Sequence, residues 1–159
     1  MHAMATHKAT IKWVHGDGDF LKGRYSRAHT WSFDGGTIVP ASSSPSVVPL
    51  PWSDPVGVDP EEAFVASLSS CHMLTFLVLA SRKGFTIGAY TDEAVGTMTK
   101  NEHGKPWISR VVLSPRITYV GGARPTAEEE RALHEAAHHD CFISQSVKTD
   151  VVVEPPAAE

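Results

Sequence analysis

The segment from Asp59 to Arg82 limits what this chain can become more than any other. It opens with Asp59 as an N-cap, Pro60 at the first helical position and Glu62 where a capping box needs an acid, and Gly84 stops it. In between runs Ala63-Phe-Val-Ala-Ser-Leu-Ser-Ser-Cys-His-Met-Leu-Thr-Phe-Leu-Val-Leu-Ala80, which is apolar on every face. Such a helix must be covered all round. Its length approaches that of a membrane span. Ser67, Ser69, Ser70, His72 and Thr75 would be costly against lipid, however, and amphipathic strands flank it. The expectation is a buried core helix and no membrane. In a chain of 159 residues one small sheet covers only one side of that helix, so a second copy is expected to cover the rest, as a homodimer.

The remaining pattern predicts a single α+β domain over 1–159, with 1–6 as an unstructured or appended start and 154–159 as a tail. Residues 8–14 alternate as a strand, with Ile11 and Trp13 on one side, and Gly16 to Asp19 turn. Residues 24–33 alternate again as one long strand. Tyr25, Arg27, His29, Trp31 and Phe33 form an inward, aromatic face, and Arg24 points to solvent. An arginine on that face is expensive unless it is paired. The Asp34-Gly-Gly36 turn leads to a proline- and serine-rich loop, 40–59. Its Val47, Val48, Leu50 and Trp52 predict an ordered flap over a pocket or a partner subunit. After the long helix come a strand over 90–100 and another over 107–120 broken at Pro115. Next is a helix opened by the Thr126–Glu129 capping box, with Leu133, Ala136 and Ala137 as its apolar stripe and His134, His138 and His139 as a solvated end. A short turn at 141–146 and a last strand at 147–153 complete the order β-β-helix-β-β-helix-β.

The formal charge of −4 comes with no basic run, which argues against nucleic acid as a partner. The first residues lack an apolar leader core, so the expected compartment is the cytoplasm. Cys71 and Cys141 are the only cysteines. In a reducing compartment such a pair does redox work, binds metal or simply packs.

The motifs Asp59-Pro-Glu-Glu…Ser-Ser-Cys71-His-Met-Leu and Cys141-Phe-Ile-Ser-Gln-Ser146 resemble those of the OsmC/Ohr family, the osmotically inducible and organic-hydroperoxide-resistance proteins, in its OsmC-like subgroup. The likeness rests on the Asp-Pro-Glu helix start, a cysteine ten residues after Glu61, and a second cysteine before a final strand. It implies an intertwined homodimer in which antiparallel sheets wrap two central helices. It also implies a thiol peroxidase, without cofactor, that reduces organic hydroperoxides. Cys71 would attack the peroxide and Cys141 would resolve it to a disulfide. Glu61 and an arginine, here Arg27, would assist, and a lipoyl-type dithiol would be the reductant. Tyr25, His29, Trp31, Trp52, His72 and Phe76 are the expected pocket. The chain departs from many relatives in having His72 rather than phenylalanine after the first cysteine, and Phe142 rather than proline after the second.

The chemistry demands such a cation. A thiol attacks peroxide only as thiolate, Cys71 lies too far into its helix for the dipole to help, and burial opposes ionisation. His72 diverges from Cys71 by about 100° on the helix. Arg27 is the better candidate, with Glu61 holding its guanidinium in a bidentate pair. Glu61 and Cys71 lie about 15 Å apart along the axis, so Arg27 must bridge that gap or come from a partner subunit. Rival readings are a zinc site built from Cys71-His72 and His138-His-Asp-Cys141, a Cys–His hydrolase, or a non-catalytic redox sensor or small-molecule carrier.

Overall fold

A computed structural model describes residues 4–154, so the first and last residues of the expected start and tail lie outside the described residues. The chain resolves into two compact units, Met1–Ala63 and Phe64–Glu159. Helix and antiparallel sheet mix as an α+β fold, as expected.

In the first unit, strands β1 (Ala9–Lys12), β4 (His29–Phe33) and β5 (Ile38–Ala41) form an antiparallel sheet in the order β1-β4-β5. Ile11 stands opposite Trp31, and Thr30 opposite Pro40. A two-stranded ribbon pairs β2 (Gly18–Asp19) with β3 (Arg24–Tyr25), and a single 3-10 turn, Phe20–Lys22, joins them. The long strand expected over 24–33 is therefore two pieces. Between them the Ser26 hydroxyl accepts from the Ala28 amide at 3.1 Å, and the Arg27 amide turns away to the Trp52 carbonyl at 2.8 Å. A local side-chain bond thus competes with the ladder. The flap is ordered, and it is tied within its own unit. The Ser42 and Val58 amides donate to Val58 and Pro40 carbonyls, and the buried Ser42 hydroxyl accepts from the Asp54 amide at 2.9 Å. Gly57 makes this possible, because a Cβ there would sit 2.8 Å from the Ala41 carbonyl carbon.

Helix α1 (Pro60–Arg82) starts where the capping pattern places it. The Asp59 carboxylate accepts from the Glu62 amide at 2.7 Å, and the Glu62 carboxylate accepts from the Asp59 amide at 3.2 Å. The rest of α1 belongs to the second unit. There β6 (Thr86–Asp92) pairs with β9 (Pro115–Val120), and β7 (Val95–Lys100) and β8 (Pro106–Leu113) pair antiparallel, with β10 (Asp150–Val153) parallel on the other side of β8. The strand expected over 107–120 breaks before Pro115, as expected, and the one expected over 90–100 is split and begins earlier, at Thr86. Asp92 explains both breaks, since its carboxylate takes the Ser114 amide at 2.6 Å and the α1 hydroxyl of Ser69 at 2.5 Å. Residues 147–149 stay outside β10.

Helix α2 (Ala127–Asp140) opens with the expected capping box, Thr126 to Glu129 and back. Its stripe is Leu133, His134 and Ala137; Ala136 is exposed, and His134 is buried rather than solvated. Two apolar clusters line up along α1. One joins Leu68 to Val111, Leu113 and Val151, and the other joins Phe76 and Ala80 to Leu133 and Ala137. The opposite face of α1 is bare, with Leu74 58% and Val78 49% exposed. By length and composition α1 is apolar enough to cross a membrane, and only 22% of its most apolar stretch is buried within one copy of the chain.

Candidate functional site

Two constellations carry chemistry, one in each unit. In the second unit α1 holds Cys71, half-buried, and Cys141 caps the C-terminus of α2, fully buried. Both thiols are free, and each is near enough to the other to influence its ionisation. The turn after Cys141 wraps its sulfur. The Ser144 amide donates to Sγ at 3.5 Å, the Gln145 amide donates to the Cys141 carbonyl at 3.1 Å, and a 3-10 turn, Ser144–Ser146, follows.

The two thiols are not equivalent. Burial raises the pKa of Cys71, and its bond to Cys141 raises it further, outweighing the Ile143 and Phe142 backbone. Burial also works to raise Cys141, but hydrogen bonds from Cys71, Ser144 and Ile143 outweigh it and bring that thiol down. Of the two, Cys141 is therefore the more readily ionised thiol. A nucleophilic Cys71 needs a cation from elsewhere, as the chemistry of the sequence requires.

Just after Cys71, His72 turns away from it into the core. His72 is fully buried, and its Nε2 bonds His134 Nδ1 at 3.0 Å, with the two rings stacked nearly parallel. Phe76 stacks on His134 with centroids 4.4 Å apart. Both imidazoles are pushed down to about 4. Burial is the main cause at each, and for His72 the neighbouring His134 adds to it. His72 and Phe76, expected as pocket residues, thus sit in the interior of the second unit. His134 is the residue sequence reasoning missed. Its place between Leu133 and Ala137 on the buried stripe is the signal that could have found it.

The first unit carries a cavity of about 500 Å³. Ile11, Trp13, Phe20 and Tyr25 supply its apolar wall, and Arg27, His29, Glu61 and the Ser42–Ser43 pair its polar one. Tyr25, Arg27, His29 and Glu61 are therefore brought together. Trp31 and Trp52 stand behind them: the Trp31 indole donates to His29 Nε2 at 2.9 Å, and the Trp52 carbonyl takes the Arg27 amide. A tryptophan N–H can only donate and a carbonyl can only accept. The His29 ring, bonded at Nδ1 to the Arg27 carbonyl at 2.7 Å, is therefore the neutral Nδ1–H tautomer.

One expectation needs correcting. Among the described residues Arg27 forms no ion pair, with Glu61 or any other carboxylate. Its guanidinium instead donates to the Gly23 and Tyr25 carbonyls and lies 3.7 Å over the Tyr25 ring. The tight turn of the β2–β3 ribbon presents those carbonyls at shorter range than the helix start presents Glu61. The rival zinc set is not assembled either, because no three His, Cys, Asp or Glu side chains among the described residues converge where a metal could sit.

A family model described as OsmC-like protein matches residues 53–155. Among solved structures, an OsmC-like protein of unknown function from Vibrio cholerae is 48% identical over 96% of this chain and 100% of its own, with a TM-score of 0.93. An organic hydroperoxide resistance protein from Elizabethkingia anophelis (20% identity, 98% of this chain and 100% of that one, TM-score 0.69) shares the fold. So does the organic hydroperoxide resistance protein OhrB of Bacillus subtilis, at 20% identity over 97% of this chain and 100% of that one, with a TM-score of 0.64. No curated protein matches the chain.

Proposed function

The chain belongs to the OsmC-like family, and from that premise we propose that it is a cysteine-based peroxidase that reduces organic hydroperoxides to alcohols. The observation that carries this reading is that its only two thiols, one from α1 and one from the α2 cap, are neighbours that influence each other's ionisation. In the proposed cycle the Cys71 thiolate attacks the distal peroxide oxygen. The O–O bond breaks, the alkoxide takes a proton and leaves as alcohol, and Cys71 becomes the sulfenic acid. Cys141 then attacks that sulfur. The hydroxyl leaves with a proton as water and the Cys71–Cys141 disulfide forms, to be reduced by an external dithiol of lipoyl type. The low-lying thiol of Cys141 suits this second attack.

Arg27, supplied by this chain or by a second copy, is proposed as the cation that makes Cys71 a thiolate, with Glu61 assisting. The aromatic wall of Trp13, Phe20 and Tyr25 supports a bulky organic substrate over hydrogen peroxide. The names of the more distant structural neighbours point the same way. We propose a homodimer because the bare face of α1 and the exposed Val95 and Met98 of β7 need cover. A cytoplasmic setting is proposed with it, because a reducing compartment keeps such a thiol pair available for turnover.

The test is steady-state turnover with cumene hydroperoxide and with hydrogen peroxide, using dihydrolipoamide as reductant. The expected result is a clear preference for the organic peroxide, with Cys71→Ser at background. Turnover that survives Cys71→Ser removes the assignment.

A further inference from the structure

The two buried histidines have no part in the cycle above, yet they tie together the same two helices that bear the thiols. His72 follows Cys71 on α1, and His134 lies about two turns before Cys141 on α2. The bond between them is buried, and it is the only hydrogen bond either imidazole makes among the described residues: His72 Nδ1 and His134 Nε2 have no partner. Stacking on Phe76 fixes the plane of His134, and the Leu133–Ala137 stripe fixes the helix around it.

A disulfide tolerates little error, since its Cα atoms must come within about 7 Å in a narrow range of torsions. The apolar contacts of Phe76 and Ala80 with Leu133 and Ala137 press the two helices together but are non-directional. The imidazole pair adds a directional bond, which sets the helices in one register. We propose that His72 and His134 form a clamp that holds α1 and α2 in the register in which Cys71 and Cys141 can bond. They are positioning residues. Among the described residues neither hydrogen-bonds to the reacting sulfurs, and their effect is on the effective concentration of one thiol at the other.

This rests on reading the thiols as a redox pair, so the test avoids peroxide. The purified chain is equilibrated with reduced and oxidised glutathione, where Cys71-SH and Cys141-SH plus one glutathione disulfide give the protein disulfide and two glutathione thiols. The ratio of glutathione species at half-oxidation is then read. His72→Phe keeps a flat ring in the stack and deletes the bond, leaving the remaining nitrogens of His134 unpaired. It should move the midpoint about tenfold toward the reduced form, or about 30 mV for this two-electron couple. His72→Gln, whose amide can reach the position of Nε2, should recover to within about threefold of the parent. A folded His72→Phe protein with the parental midpoint overturns the clamp, as does a glutamine variant displaced as far as the phenylalanine one. Should phenylalanine at 72 prevent folding, His134→Phe against His134→Asn makes the same comparison from α2. A shifted midpoint in a protein that turns over no peroxide keeps the clamp and removes the peroxidase reading.

Discussion

At the residue scale the two cysteines divide the work by environment. Cys141 takes the Ser144 amide of its own turn, and Cys71 has its thiol raised by burial and by the neighbouring Cys141. Cys141→Ser should remove the resolving thiol while leaving one reactive equivalent. Peroxide would then be consumed once and the product, sulfenic acid on Cys71, trapped by dimedone and seen by mass. Arg27→Ala should raise the apparent pKa of Cys71, read from alkylation rate against pH. An unchanged profile takes that role from Arg27. The buried imidazoles make a separate prediction about acid. Both are held near 4 in the folded chain against 6.5 when unfolded, so the unfolded chain binds more protons between those values. Their contribution to stability is full above about pH 6.5, is lost as pH falls toward 4, and is flat below. The loss is on the order of 3 kcal/mol for each imidazole. Urea denaturation from pH 7 to 5 should show the decline, and the doubly substituted His72→Phe, His134→Phe protein should lose that slope.

Helix ends were the most legible elements. Asp59, Pro60, Glu62, Thr126, Glu129 and Gly84 mark them because capping is local chemistry, decided by residues three apart. Asp59→Ala should therefore cost about 1 kcal/mol, measured by thermal melting. Strand continuity was less legible. Pro115 marked one strand break, but alternation over 24–33 and over 90–100 gives faces and not the points where a side chain takes a backbone amide out of its ladder. The Ser26 and Asp92 breaks are bonds of that kind, and the Asp92 one joins residues far apart in sequence. The same holds for the site. Cys71 and Cys141 stand out by rarity, and Tyr25, Arg27 and His29 by alternation. His134 was read as a solvated helix end because its buried partner, His72, lies on another helix. The expected Arg27–Glu61 pair failed for a related reason: nearby carbonyls compete for a guanidinium, and no periodicity reveals them.

At the scale of the whole molecule, α1 imposes a debt that one copy of the chain leaves unsettled. Its inner face is filled by two clusters, while Leu74 and Val78 are left open, and β7 is exposed along its length. A charge placed there, as in Leu74→Asp, should halve the mass seen by light scattering while leaving the helical circular dichroism signal in place. A parental mass in the variant would move the interface elsewhere. The central claim is that the thiols act together on an organic peroxide. Its most direct measurement is a free-thiol count, with peptide mass mapping, after one equivalent of cumene hydroperoxide is added to the fully reduced chain. The account predicts that both thiols vanish and that a Cys71–Cys141 linkage appears within a single chain, with one alcohol formed per disulfide. Two thiols still titratable, or a linkage between chains in its place, contradicts it.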